Sequence, residues 1–210
     1  MSDFDGAAFT RFVTTFADRI HERRDELTQL DSAIGDADHG INMDRGFTAV
    51  RAKLDGGGTE TLGAAAKLVG MTLISTVGGA SGPLYGTFFL RLATAFGDDA
   101  TTDTTGLGTA LRAGLEGVRA RGKAELDDKT MVDAMTPAID AYDSAARDGV
   151  GAALSAAATA AAEGRDRVTP LVARKGRASY LGERAMGHQD PGATSTTILF
   201  ESLRDAVAAG

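Results

Sequence analysis

The sequence predicts an all-α fold, and three observations carry that prediction. Apolar residues recur at three- and four-residue spacings through most of the chain. No segment sustains a period-two alternation between turn signals, and β-branched pairs such as Thr196 and Thr197, followed by Ile198, fall inside helical patterns. Glycine, proline and acidic residues punctuate the periodic stretches.

The first predicted helix covers residues 7–30, where Phe9, Phe12, Val13, Phe16, Ile20, Leu27 and Leu30 form one stripe. The same test predicts helices over 41–54, 60–77, 83–97, 105–120, 130–146, 149–164 and 192–208, about eight in all. Residues 151–162 are alanine-rich, which reads as a packed or half-exposed helix, too short and too weakly apolar to cross a membrane. Residues 164–187 show no strong helical stripe and carry Arg165, Arg167, Arg174, Lys175, Arg177 and Arg184 in an otherwise acidic chain. A long basic loop of this kind suits a phosphate.

At 210 residues and 43% apolar content the chain can bury one good core, so a single domain over 1–210 is expected. A net charge of -7 leaves no broad basic surface, which speaks against nucleic acid and anionic membranes as partners. The absence of cysteine excludes disulfides, thiolate zinc sites, iron–sulfur clusters and a cysteine nucleophile. The acidic stretch from Met1 to Asp5 lacks the layout of a signal peptide, and no apolar run reaches the roughly 18 residues of a membrane span. A soluble, cytoplasmic protein is the expectation.

The 27 glycines cluster, several directly before a predicted helix, where free backbone N–H groups and the positive end of the helix dipole can hold an anion. In the turn after the first helix Asp31, Asp36 and Asp38 converge. Three carboxylates in one turn repel unless a cation neutralises them, and all-oxygen ligation points to Mg²⁺; the alternative is a polar turn in which Asp38 caps the next helix. The spacing lacks the pattern and terminal Glu of an EF-hand. From Gly78 to Gly86, Pro83 suits a first helical turn capped by Ser81 or Gly82. No Gly-Lys-Ser/Thr follows, so this is not a Walker A loop, and close helix packing on small residues explains it equally well. From Gly187 to Thr194, Asp190 reads as a cap and Pro191 as the opening of the last helix. Two Gly-rich helix starts and three acids together suggest a nucleotide with magnesium. Of the three histidines, His21 reads as part of a solvated face; His39 and His188 sit inside motifs and read as groups that orient loops near phosphate, not as nucleophile or acid/base.

Taken together, the stretches 35–43, 78–86, 121–124, 128–131, 174–184 and 187–193 closely resemble, in the same order, the motifs of the nucleotide-binding L subunit of dihydroxyacetone kinases. That resemblance covers the chain almost end to end. It implies a barrel of eight amphipathic antiparallel helices with ADP and two Mg²⁺ ions at one end. Asp31, Asp36 and Asp38 match the magnesium ligands, and His39, Gly40, Ile41 and Asn42 match the nucleotide-contacting stretch that follows. Ala80 and Ser81 match the phosphate-side loop, and Gly122 and Met131 the adenosine side. Arg177 matches the basic residue over the phosphates, and Asp190, Pro191 and Gly192 the last contact loop.

The resemblance also implies half an enzyme. Dihydroxyacetone and the acid/base groups belong to a separate K subunit, and no catalytic acid or base is identified on this chain. A free-standing L subunit resembles the phosphotransferase-system type, in which bound ADP is rephosphorylated by a phosphohistidine carrier, subunit M. The alternatives are direct use of ATP, another short ketose as acceptor, or a nucleotide-dependent regulator that binds a transcription factor. The ATP-binding domain of fatty-acid kinases shares an acid-rich Gly-Asp motif, but is normally joined to further domains that have no counterpart here.

Overall fold

The computed structural model describes residues 4–56 and 60–209. Nine α-helices occur among them: α1 (Gly6–Glu22), α2 (Arg24–Ile34), α3 (His39–Asp55), α4 (Leu62–Thr76), α5 (Ser81–Phe96), α6 (Thr104–Gly122), α7 (Met131–Ala145), α8 (Val150–Arg167) and α9 (Pro191–Ala208). Short 3₁₀ helices cover Ala146–Asp148 and Arg177–Ala185. The fold is all-α; the sole sheet among the described residues pairs Phe4–Asp5 with Thr101–Thr102.

Helix-to-helix packing runs α1–α3–α4–α5–α6–α7–α8–α9 and back to α1, a closed ring of eight. The expected first helix is two helices. At Arg23 the backbone leaves helical geometry (φ -101°, ψ 14°), and a second helix starts with Asp25 and Glu26 in its first turn, where acids favour the dipole. The break lets α2 leave the ring and pack across α3, α9 and the second 3₁₀ helix. The segment 164–187 is likewise not all loop. Helix α8 persists to Arg167, and Arg177–Ala185 winds as 3₁₀ with a kink at Gly182, whose φ of 58° suits glycine.

The ring closes on an aromatic core. Phe9, Phe12, Phe16, Phe47, Phe88, Phe89 and Phe200 are buried, and Phe16 meets Phe47 edge-on with ring centroids 4.6 Å apart. Each such ring contributes about 2–3 kcal/mol of burial. Close approaches set the helix spacing elsewhere. Pro137 inside α7 has no N–H for the Asp133 carbonyl, and Gly164 of α8 packs against that carbonyl, where a Cβ would collide.

The antiparallel ring places the starts of α3, α5, α7 and α9 at one end, so four helix N-termini face one opening. Among the described residues no helix is long and apolar enough to cross a membrane.

Candidate functional site

The opening is a cleft of about 460 Å³. His39, Ser81, Met131 and Pro191, the first residues of the four helices, all line it.

At its acidic wall, Asp31, Asp36 and Asp38 can each offer a carboxylate oxygen within 4.8 Å of the others. Asp31 comes from the last turn of α2 and is buried; its Oδ2 accepts from the backbone N–H of Asp38 (2.8 Å) and of His39 (3.1 Å). Asp31, and not Asp38, therefore serves the start of α3: Asp38 occupies the N-cap position without making a capping bond. The capping role open to Asp38 from sequence is thus not taken up, and its carboxylate stays available. Gly35 makes the turn possible, since a Cβ there would collide with the Asp31 carboxylate. Asp36 pairs with Arg177 of the second 3₁₀ helix at 2.8 Å.

The four helix starts differ in capping. Thr130 and Asp133 form a reciprocal capping box on α7, and Asp190 accepts from Ala193 N–H on α9. No side chain caps α5, whose first residues are Ser81 and Gly82. Its leading N–H groups therefore have no side-chain partner among the described residues, and Ala80 and Ser81 at that end line the cleft; behind them Gly82 is required because a Cβ would collide with the Val77 carbonyl. The cap expected at Ser81 or Gly82 falls at Ala80.

Beneath the floor runs a buried polar chain. His39 Nδ1 lies 3.1 Å from Ser81 Oγ and its Nε2 lies 3.0 Å from Ser195 Oγ. The Tyr85 hydroxyl joins Ser195 (2.7 Å) and Thr196 (3.2 Å). Burial pushes the His39 imidazole down to about 4, against the pull of Asp31, so it is neutral near pH 7. Burial likewise pushes the Asp190 carboxyl up to about 7, against the bond from Ala193 N–H.

Another part of the lining is apolar, built by Leu84, Val118, Ala124 and Met131, with Leu84 beside Gly122. It suits a flat base against a polarisable side chain. Of the residues singled out from sequence, Asp31, Asp36, Asp38, His39, Asn42, Ala80, Ser81, Gly122, Met131, Arg177, Asp190, Pro191 and Gly192 line the cleft. Gly40 and Ile41 do not. A Cβ on Gly40 would strike the Arg24 carbonyl, so that glycine lets α3 meet α2, and Ile41 is exposed on an outer groove between those helices. Lys129, Tyr85 and Ser195 were missed. Lys129 lies in the stretch 128–131, but nothing in its spacing marks it.

The chain matches the DAK2 domain family over residues 33–205. It is 45% identical over 194 residues to the PEP-dependent dihydroxyacetone kinase ADP-binding subunit DhaL of Escherichia coli K12, covering 91% of this chain and 92% of that one. It is 42% identical over 195 residues to the PTS-dependent dihydroxyacetone kinase ADP-binding subunit DhaL of Lactococcus lactis, covering 92% and 93%. The native crystal structure of the dihydroxyacetone kinase of C. freundii superposes with a TM-score of 0.74 at 26% identity, over 93% of this chain and 34% of that longer one. The chain belongs to the DAK2 domain family and, within it, to the ADP-binding subunits of dihydroxyacetone kinase, and is thus a phosphotransferase subunit.

Proposed function

We propose that this subunit holds ADP with two Mg²⁺ ions in the cleft and passes a phosphoryl group from a phosphohistidine carrier, subunit M, to dihydroxyacetone held on a separate K subunit in the cytoplasm. The observation that carries the reading is that the acid trio and the uncapped start of α5 line the same cleft, joined through His39, whose N–H meets Asp31 and whose ring meets Ser81. The acids offer only hard oxygen donors, which fit Mg²⁺, and the uncapped helix start beside them offers N–H donors, which fit phosphate. When bound, the ions would neutralise charge on the phosphate oxygens.

The chain's own residues position and neutralise. Asp31, Asp36 and Asp38 would hold the metal, with Asp31 fixed in place by two backbone N–H groups. Ala80 and Ser81 sit on the phosphate side and donate toward the phosphates. Met131 and Gly122 take the adenosine side, Asp190 to Gly192 close the far edge, and Arg177 brings positive charge over the top. His39 orients the Ser81 hydroxyl; with both ring nitrogens engaged and the ring buried, it is not free to act as a base. Acid/base work on the acceptor therefore falls to the partner, and the subunit alone turns nothing over.

The test is the fate of labelled ADP during turnover with K and M subunits. Label retained over many cycles supports a bound coenzyme charged by the carrier. Rapid exchange, with activity on ATP and no carrier, would replace this reading with direct ATP use. Activity confined to a short ketose other than dihydroxyacetone would correct the acceptor.

A further inference from the structure

Lys129 is 1% exposed; the carboxylate acting on its charge is Asp190, and its hydrogen bonds among the described residues all go to backbone carbonyls. Its ammonium donates to the carbonyls of Thr169 (2.8 Å), Leu171 (3.0 Å) and Ala185 (2.5 Å). An ammonium has three protons, and these carbonyls take all three. None is left for a phosphate, although Lys129 lines the cleft.

Two of the three carbonyls are the feet of one strap, and the third, on Thr169, lies just before it. Residues 171–185 leave α8, carry Lys175 and Arg177 along the cleft, and return toward Asp190. Leu171 is one foot and Ala185 the other, and Gly187 N–H bonds the same Thr169 carbonyl (3.0 Å). The strap has little apolar anchorage. Its buried residues Ala173, Ala178 and Ala185 form a small cluster with Ile34, apart from the main core. Removing the ammonium would take the donor from the Leu171 and Ala185 carbonyls, while the Thr169 carbonyl keeps Gly187 N–H. Among the described residues, the strap's remaining polar ties beyond its own turns would be the Arg174 N–H bond to the Asp128 carbonyl and the exposed Arg177–Asp36 pair.

We propose that Lys129 is a positioning residue whose ammonium clamps both feet of the 171–185 strap, keeps Arg177 over the cleft, and so sets how long the nucleotide stays bound. The clause about the nucleotide rests on the function proposed above; the clamp does not.

Amide hydrogen exchange on the nucleotide-free subunit tests the clamp. In Lys129→Met, strap amides should exchange about tenfold faster or more, while core amides of α1 and α9 change less than about twofold. Lys129→Gln keeps two N–H donors without the charge and carries the same comparison should the Met variant fail to fold. Unchanged strap exchange, or an equal rise throughout the molecule, would overturn the clamp. A second measurement, the ADP dissociation rate, asks whether the effect runs through Arg177. Lys129→Met should release ADP about tenfold faster or more, yet add less than about twofold in an Arg177→Ala background. Additive effects in that double variant would overturn the link to Arg177. A wild-type protein that holds no ADP would instead refute the proposed function, and the exchange comparison would still decide the clamp.

Discussion

Arg177 and Asp36 form an ion pair of 2.8 Å that bridges the strap and the acid trio. In the proposed function, a dication on Asp36 would compete with the guanidinium for the same carboxylate and would free Arg177 for phosphate oxygens. Asp36→Asn keeps the shape but removes one charge from the trio. Mg²⁺ and ADP affinity should fall together by about tenfold or more, about 1.4 kcal/mol per decade. Titration calorimetry with unchanged circular dichroism checks it, and wild-type affinity in the variant would remove the metal assignment.

Ligands that bind only the folded chain raise its stability. At about 100 times the dissociation constant, ADP with Mg²⁺ should add about 2.7 kcal/mol, which for a domain of this size is a Tm rise on the order of 5–10 °C. Adding EDTA should reverse it. A melting curve indifferent to chelation, with nucleotide still bound, would contradict magnesium-dependent retention.

Asp190 makes a pH-dependent contribution with a definite sign. Its carboxyl sits near 7 in the folded protein against an ordinary value of 3.8. The folded state thus binds the proton more tightly, so the contribution is complete below about 4 and is lost as pH rises through 7. Asp190→Asn preserves the cap on α9 but not the titration. Between pH 4 and pH 8 the variant should gain on the order of 1 kcal/mol relative to wild type in urea denaturation, after discounting for partial exposure. Parallel stability profiles for the two proteins would show that the carboxyl titrates normally.

Gly40 and Gly151 are both helical, yet they should respond in opposite ways to alanine. A Cβ at Gly40 would strike the Arg24 carbonyl and Thr28, whereas one at Gly151 meets nothing within 4 Å. Gly40→Ala should cost about 1–3 kcal/mol through forced separation of α2 and α3. Gly151→Ala should gain about 0.5–1 kcal/mol from reduced chain entropy. Denaturant midpoints measure both, and a neutral Gly40→Ala would show that α3 needs no such close contact.

Much of this architecture was legible because the helix signals are local. Asp190 as cap and Pro191 as first helical residue follow from their order alone, and the acid trio follows from one turn. The break at Arg23 was hidden because Leu27 continues the stripe of Phe16 and Ile20 across it. The 3₁₀ helix at Arg177–Ala185 escaped because its repeat leaves no 3.6-residue pattern. Asp38 reads as a cap until the structure shows its side chain making no capping bond and Asp31, seven residues earlier, accepting from the N–H groups of Asp38 and His39 instead. Lys129 was beyond reach from sequence, since its partners are backbone carbonyls up to 56 residues away.

The hydroxyl chain under the cleft also acts as a key for assembly. Ser195 and Thr196 on α9, Tyr85 on α5 and His39 on α3 hydrogen-bond to one another in the buried interior. A purely apolar seam would tolerate a helix turned or slid by one residue, but here such a slip strands several polar atoms at about 1–3 kcal/mol each. Misregistered packings are therefore penalised at the end of the ring where three helices must agree on where they begin.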